Sequence, residues 1–292
     1  MRVGVVILPQ YSWPEARARW ESLEDRGFAH GWTYDHLSWR DLAAENWFGT
    51  IPTLTAVAAV TNRLRLGTWV TSPNFRHPVT LAKDLMTIDD ISGGRLITAI
   101  GAGGTGWDAT VLGQEVLTPG QRTKRLAEFV TLTDLLLSQA NTSWRGEYFE
   151  AVQAKMIPSG ARSRIPLIVA ANGPRTMKIA AGADGWATTG PDSSGVTTDQ
   201  WWSGLAGLVQ RFEDTLATAG RDPATMDRYL DLDSAPVLSA SSIDAFTDAA
   251  GRAAALGFTD VLSHWPRPAG VYAGNEAVLD RIADLLTDGE LG

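Results

Sequence analysis

Short apolar segments alternate along the chain with longer amphipathic segments, and this alternation predicts a series of strand–helix units. The predicted strands are residues 2–8, 30–34, 64–70, 95–101, 166–171, 185–189, 230–238 and 259–264. The predicted helices are residues 12–26, 50–60, 78–91, 119–137, 199–219, 243–256 and 276–286, with one more that begins near residue 174. Eight such units in 292 residues indicate an α/β fold of the closed (β/α)8 type, the TIM barrel, rather than an open doubly wound sheet.

One segment interrupts this alternation. Residues 141–164 follow the fourth barrel helix, are rich in Gly, Ser and charge, and contain an aromatic patch of Trp144, Tyr148 and Phe149. We expect an insertion or a lid there. Because the composition does not shift sharply anywhere, the sequence predicts a single domain over residues 1–292.

The composition then narrows the functional classes. The chain has no cysteine, which excludes a disulfide scaffold, a Cys-ligated metal and a thiol nucleophile. A formal net charge of −8 without a basic stripe argues against a nucleic-acid partner. No apolar stretch approaches the roughly eighteen residues of a membrane span. Since the first residues predict a strand rather than a signal peptide, we expect a cytoplasmic protein with no membrane partner.

In a (β/α)8 barrel the active site lies at the carboxyl ends of the strands. The polar residues that follow the predicted strands are Gln10, Asp35, His36, Thr71, Ser72, Asn74, the loop at 101–108, residues 172–176, Thr189 and His264. The tryptophans at 13, 39 and 107 accompany them. An aromatic rim with few inward charges suits a flat, conjugated small molecule.

Two of these motifs each have two interpretations. His36 follows Asp35 and is either a general acid or base, since the reference pKa of imidazole is about 6.5, or a structural hydrogen-bonding group. The Gly-rich loop at 101–106 either lets a ligand approach the backbone or is only a flexible turn.

Two further motifs also leave alternatives open. Residues 172–176 follow a strand and open a helix, so their amides suit an anion, unless Asn172 or Gly173 is an ordinary N-cap. Ser72–Pro73 is either a cis peptide in a ligand-contacting bulge or a trans turn.

A metal site is not predicted. Asp35, His36, Asp108 and His264 are residue types that bind metals. However, no His-x-His pair follows the first strand, and no Glu-x-x-His pair lies on a helix, so the sequence does not favour a metallohydrolase.

Four stretches of the chain resemble a known family. They are residues 34–39 (YDHLSW), 66–78, 87–95, and 170–176 with 183–186. Together they are similar to the bacterial luciferase-like monooxygenase superfamily and, within it, to the coenzyme F420-dependent oxidoreductases. The resemblance runs from residue 3 to about residue 191 and is looser in the C-terminal third.

The resemblance implies a barrel that holds a flavin or deazaflavin at its strand ends. It implies a bulge at Thr71 and Ser72 behind the tricyclic ring, where the family often has a cis peptide. His36 is implied as the proton donor, with Asp35 orienting its ring and Trp39 beside them. The implied cofactor contacts are Asp35, Thr71, Ser72, Gly103 and Asp108 and, for the phosphate, Ala171, Asn172, Gly173, Pro174, Arg175 and Thr176. The implied substrate pocket is lined by Trp13, Trp39, Trp107 and His264.

The resemblance therefore predicts hydride transfer between C5 of F420 and a small organic substrate, by reduction of an activated C=C or C=N bond or by oxidation of an alcohol. The stretch between His36 and Trp39 is one residue shorter than in the sugar-phosphate dehydrogenases of the family, and no Lys/Arg cluster is present for a substrate phosphate. One alternative is an FMN-dependent two-component monooxygenase that uses O2 and a flavin reductase partner. Another is a barrel that binds a flavin or deazaflavin without turnover. The resemblance also implies a homodimer.

Overall fold

A computed structural model describes residues 1–158 and 164–289. The strands are β1 Arg2–Val6, β2 His30–Thr33, β3 Arg65–Thr71, β4 Leu96–Ile100, β5 Asn141–Arg145, β6 Glu150–Lys155, β7 Leu167–Ala170, β8 Gly185–Thr188, β9 Asp227–Asp231 and β10 Asp260–His264. The helices are α1 Trp13–Asp25, α2 Thr50–Val60, α3 Pro78–Ile91, α4 Pro119–Ser138, α5 Pro174–Ala180, α6 Thr198–Thr218, α7 Ile243–Ala255 and α8 Ala277–Thr287.

Eight of these strands close into a parallel barrel in the order β1-β10-β9-β8-β7-β4-β3-β2. The predicted (β/α)8 fold is therefore confirmed, and seven of the eight predicted barrel strands overlap their observed positions closely. Local capping signals mark the starts of α3, α4, α6 and α7. For example, α4 starts with Pro119 after a reciprocal capping pair between Thr118 and Gln121.

The position predicted for the seventh barrel strand, residues 230–238, was wrong. β9 starts at Asp227, and residues 232–234 already form a 3-10 turn. The apolar pattern favoured the later segment because β9 opens with two charged residues. Their charges are met by distant partners, since Asp227 accepts a hydrogen bond from Arg2 and Arg228 pairs with Glu213.

The contacts divide the chain into two compact units. The central unit comprises residues 9–20 and 33–168, and the terminal unit comprises residues 1–8, 21–32 and those from 169 onward. In the central unit, fully buried Leu54, Leu85 and Phe129 belong to the apolar core. In the terminal unit, Trp186 stacks on Phe212 with ring centroids 4.3 Å apart.

The segment after α4 is an antiparallel hairpin of β5 and β6. The carboxylate of Glu128 on α4 holds its turn, because it accepts hydrogen bonds from the backbone N–H groups of residues 147, 148 and 149 and from Trp144 Nε1. A Cβ at Gly146 would lie 1.7 Å from Glu128 Oε1, so this close approach requires glycine. The expected insertion at 141–164 thus begins as an ordered hairpin, and its part at 159–163 lies outside the described residues.

None of the helices within residues 1–158 and 164–289 combines the length and apolar character needed to cross a membrane.

Candidate active site

In the central unit, the side chains of His36 and Asp108 form a close pair. His36 lies three residues beyond β2, and Asp108 lies in a short 3-10 helix, Trp107–Ala109, that follows β4. Nδ1 of His36 lies 2.5 Å from Asp108 Oδ2, and Asp108 Oδ1 accepts the backbone N–H of Leu37 at 2.9 Å. A carboxylate at Nδ1 favours the tautomer with its hydrogen on Nδ1, which leaves Nε2 able to accept a proton.

Aromatic residues fix the backbone and ring of His36. Trp47 Nε1 donates to the carbonyl of His36 at 2.8 Å. The ring of Tyr34 makes edge contacts with those of His36 and Trp39, at centroid distances of 5.9 and 5.3 Å. Ser38 lies between His36 and Trp39 in the sequence. Its hydroxyl is buried and has no hydrogen-bond partner in the described part of the chain. Such a hydroxyl is suited to form a hydrogen bond with a polar group of a ligand.

The structure corrects the role expected for Asp35. This residue is fully buried and contacts Arg76 rather than His36. Arg76 donates from Nη2 to Asp35 Oδ1 at 2.7 Å and from Nε to Oδ2 at 3.2 Å, and Thr71 Oγ1 lies 2.9 Å from Oδ2. A buried carboxylate requires such partners. Asp108 therefore occupies the position beside His36 that was expected of Asp35, and no function had been predicted for Arg76 from the sequence.

The irregularity in the third barrel strand also lies earlier than expected. Pairing of β3 with β4 shifts register between Thr68 and Thr71, and the cis peptide bond joins Trp69 to Val70. The bond between Ser72 and Pro73 is not cis. Thr71 and Ser72 are both buried at the end of this bulge.

The loop after β4 is tied to its surroundings. Asn74 Nδ2 donates to the carbonyl of Gly104 at 3.1 Å, and Arg122 Nη1 donates to that of Gly103 at 3.1 Å. Gly103 has φ +74°, and a Cβ there would lie 2.6 Å from Asn74 Oδ1. The loop is thus a fixed backbone segment that requires glycine, and not merely a flexible turn.

Of the tryptophans expected to line a substrate pocket, Trp13 and Trp107 are exposed and Trp39 is half-buried. All three belong to the central unit. Trp107 is 61% exposed and adjoins Asp108 in the 3-10 helix. The exposed apolar residues Val111, Leu112 and Val116 follow it and were not among the residues predicted from the sequence.

In the terminal unit, residues 171–176 have a defined geometry. Asn172 Oδ1 accepts from Thr188 Oγ1 at 2.6 Å, and its Nδ2 donates to the carbonyl of Gly190 at 2.8 Å. Gly173 is the N-cap of α5, and its N–H lies 3.3 Å from Thr176 Oγ1. Pro174 opens the helix, and Arg175 is exposed. Ala171 is buried and accepts the indole N–H of Trp186.

His264, expected in the substrate pocket, is fully buried. Its Nδ1 lies 3.1 Å from Asp233 Oδ2, and the ring of Tyr272 stacks on it at a centroid distance of 3.6 Å. Asp231 is a second buried acid, with Oδ1 3.7 Å from the same Nδ1. The structure therefore places His264 in a covered acid–histidine cluster and not on an accessible surface.

The two acids of this cluster have different proton affinities. Burial raises the pKa of Asp231 above its ordinary value. Burial alone would also raise the pKa of Asp233, but hydrogen bonds from His264 and Ser239 lower it. Potential ligand atoms of Asp231, Asp233 and His264 lie within 4.8 Å of one another, which is close enough for a metal ion. Both oxygens of Asp233 already accept hydrogen bonds, from Ser239 and from the backbone of His264.

Comparisons with known proteins identify the family of the chain and several of its relatives. The luciferase-like monooxygenase family model matches residues 1–290. The chain is 29% identical over 239 residues to an F420-dependent hydroxymycolic acid dehydrogenase of Mycobacterium tuberculosis, which covers 79% of this chain and 61% of that protein. It is 31% identical over 202 residues to an F420-dependent glucose-6-phosphate dehydrogenase of Amycolatopsis mediterranei, covering 68% of this chain and 60% of the relative.

Among solved structures, the F420-dependent tetrahydromethanopterin reductase of Methanopyrus kandleri superposes with a TM-score of 0.76. The match covers 97% of each chain at 19% identity. At this identity the likeness supports the fold alone.

Proposed function

The chain belongs to the luciferase-like monooxygenase family, and from this membership we propose that it is an F420-dependent oxidoreductase. The proposed reaction is hydride transfer between C5 of the deazaflavin and a small organic substrate, either reduction of an activated double bond or oxidation of an alcohol. The two relatives described above, both named as F420-dependent dehydrogenases, support the choice of cofactor. The observation that carries the proposal is the His36–Asp108 pair, a proton-transfer group at the carboxyl end of a barrel strand.

The residues present fit a deazaflavin. The buried, unpartnered hydroxyl of Ser38 offers a polar contact beside His36. Thr71, Ser72 and Gly103 would hold the ring in the central unit, since Thr71 and Ser72 end the bulge of β3 and Gly103 lies in the fixed loop after β4. In the terminal unit, Ala171 and residues 172–176 would hold the phosphate, with the exposed Arg175 supplying positive charge.

When bound, F420 supplies the hydride chemistry, and the protein supplies position and electrostatics. His36 exchanges a proton with the substrate through Nε2. Asp108 keeps Nδ1 protonated and stabilises the imidazolium that forms when Nε2 gains a proton. Trp39 and the exposed Trp107 would shield the reacting atoms from water. Asp35 acts as a positioning residue, because it holds Arg76 and Thr71 at the end of β3.

A substrate without a phosphate group is part of this proposal. Barrel enzymes frequently bind phosphate in the loops after the seventh and eighth strands. In this chain β9 ends in Asp231, the following turn contains Asp233, and β10 ends in His264. The side chains at these strand ends are two buried acids and a histidine rather than arginines, so a sugar phosphate is not proposed.

A fluorescence titration with F420, beside one with FMN under the same conditions, tests the cofactor. We expect tight F420 binding and weak FMN binding. The reverse result would overturn the proposal and favour an O2-dependent monooxygenase with a flavin reductase partner. A His36→Asn variant should lose turnover far more than F420 affinity, whereas binding without turnover by the unaltered protein would favour the non-catalytic alternative. We also propose a homodimer, which sedimentation equilibrium would test.

A further inference from the structure

The central unit contains a cavity that the proposed reaction does not use. It has a volume of about 410 Å³ and neither His36 nor Asp108 lines it. Its lining includes Asn74, Arg76, Glu115, Arg125, Tyr148 and Phe149. They come from the segment after β3, the segment before α4, α4 itself and the turn of the hairpin. We call it the Arg125 cavity.

Arg125 is a half-buried cation that has no anionic partner among residues 1–158 and 164–289. Its Nη2 donates to the neutral side-chain oxygen of Asn74 at 2.5 Å. Its Nε is buried and, within the residues that the structure describes, has no hydrogen-bond partner. No carboxylate of the described chain pairs with Arg125, or with Arg122 one turn earlier on α4. The guanidinium groups of both arginines can therefore still bind an anion.

The acidic residues nearby are engaged or exposed. Asp35 forms an ion pair with Arg76, the other arginine of the cavity. Glu128 lies on the same helix as Arg125, but its two oxygens accept four N–H groups of the hairpin. Glu115 lines the cavity and is exposed, so solvent screens its charge.

The environment of Arg125 also favours an incoming anion. Burial lowers the pKa of Arg125, and the positive charge of Arg122 lowers it further. An anion bound next to Arg125 would raise this pKa again, because it would offset the effects of burial and of the Arg122 charge. Tyr148 and Phe149 present rings beside this charge, and Glu128 holds their backbone in place. The cavity thus combines a fixed aromatic wall with an unneutralised guanidinium.

We propose that the Arg125 cavity binds a carboxylate group, carried either by the oligoglutamyl tail of F420 or by the substrate. The planar fork of a guanidinium matches the two oxygens of a carboxylate. The assignment of the carboxylate to the tail rests on the proposed function, whereas binding of a carboxylate as such does not.

The first experiment compares two deazaflavins, F420 with several glutamates and the riboside that lacks the whole tail, by fluorescence titration. Arg125→Gln should weaken binding of the glutamylated form about tenfold, which corresponds to roughly 1.4 kcal/mol, and leave the affinity for the riboside unchanged. Arg125→Lys should restore part of the lost affinity. Lys124→Gln removes the same charge from the neighbouring exposed position, where it pairs with Glu147, and should change neither affinity.

A second titration uses glutarate and calorimetry, with the protein both free and loaded with the riboside. Glutarate binding that depends on Arg125, together with no effect of the tail, would assign the carboxylate to the substrate. Equal effects of Arg125→Gln on both deazaflavins, with no glutarate binding, would overturn the cavity proposal. If neither deazaflavin binds, the proposed function fails, while the glutarate arm still tests the cavity.

Discussion

The carboxylate of Asp108 lies 2.5 Å from Nδ1 of His36, although 72 residues separate the two along the chain. Asp35, the immediate neighbour of His36, faces Arg76 instead. Asp35 and His36 lie beyond the end of β2 and their side chains have different partners, so sequence proximity did not bring the Asp35 carboxylate to the imidazole. The acid that contacts the imidazole comes from a different βα loop, the one after β4.

Replacing Asp108 by Asn should lower kcat by about a hundredfold and leave F420 affinity nearly unchanged, because the amide no longer stabilises the protonated imidazole. Stopped-flow measurement of the deazaflavin absorbance would follow hydride transfer. Asp90→Asn, on the exposed side of α3, provides the control and should retain the kcat of the unaltered protein. An unchanged kcat in Asp108→Asn would refute the orienting role.

The Arg76→Gln substitution should destabilise the protein by about 3–5 kcal/mol, because it leaves the buried Asp35 carboxylate without its charged partner. Denaturant unfolding measures this difference. The matched control is Arg145→Gln, since the Arg145–Glu150 pair is largely exposed and should contribute at most about 1 kcal/mol. Similar losses of unfolding free energy in both variants would contradict the inference that the buried ion pair contributes more than the exposed one.

Asp260 should make folding stability depend on acid pH. It accepts hydrogen bonds from Arg2 and lies 3.0 Å from His30 Nε2. Burial alone would raise its pKa, but the hydrogen bonds with His30 and Arg2 hold the pKa well below its ordinary value. A carboxyl whose pKa is lowered by folding stabilises the protein above its unfolded pKa of about 3.9 and loses this contribution as the pH falls below that value.

The stability difference between the unaltered protein and Asp260→Asn should therefore be constant from neutral pH to about pH 5 and shrink below about pH 4. Urea titrations at several pH values would measure it. A difference that grew towards acid pH would have the wrong sign for this mechanism.

Gly103→Ala should destabilise the loop after β4 by more than the cost of a positive φ alone. A Cβ at Gly103 meets Asn74 at 2.6 Å, whereas a Cβ at Gly113, with φ +82°, meets no atom within 4 Å. Gly113→Ala thus isolates the conformational cost of about 1–2 kcal/mol. We expect Gly103→Ala to exceed it by about 1–3 kcal/mol and to weaken F420 binding. Thermal unfolding and titration of both variants would decide, and equal losses would contradict the proposed clash.

Helix boundaries were well predicted where the signals are local. α3 occupies the predicted range 78–91, because Pro78 suits the first turn and residues 93 and 94 are glycines with positive φ. β9 was misplaced since its charged first residues find partners, Arg2 and Glu213, that no local window contains.

The sequence by itself determined the eightfold alternation of strands and helices, the family resemblance and the candidate residues at the strand ends, because periodicity and capping act over a few residues. Only the tertiary structure decided which acid contacts His36, that His264 is covered by Tyr272, and that no carboxylate of the described residues pairs with Arg125. These facts depend on distances between side chains that are far apart in the chain. Such distances follow from packing of the whole fold, and local sequence patterns do not encode them.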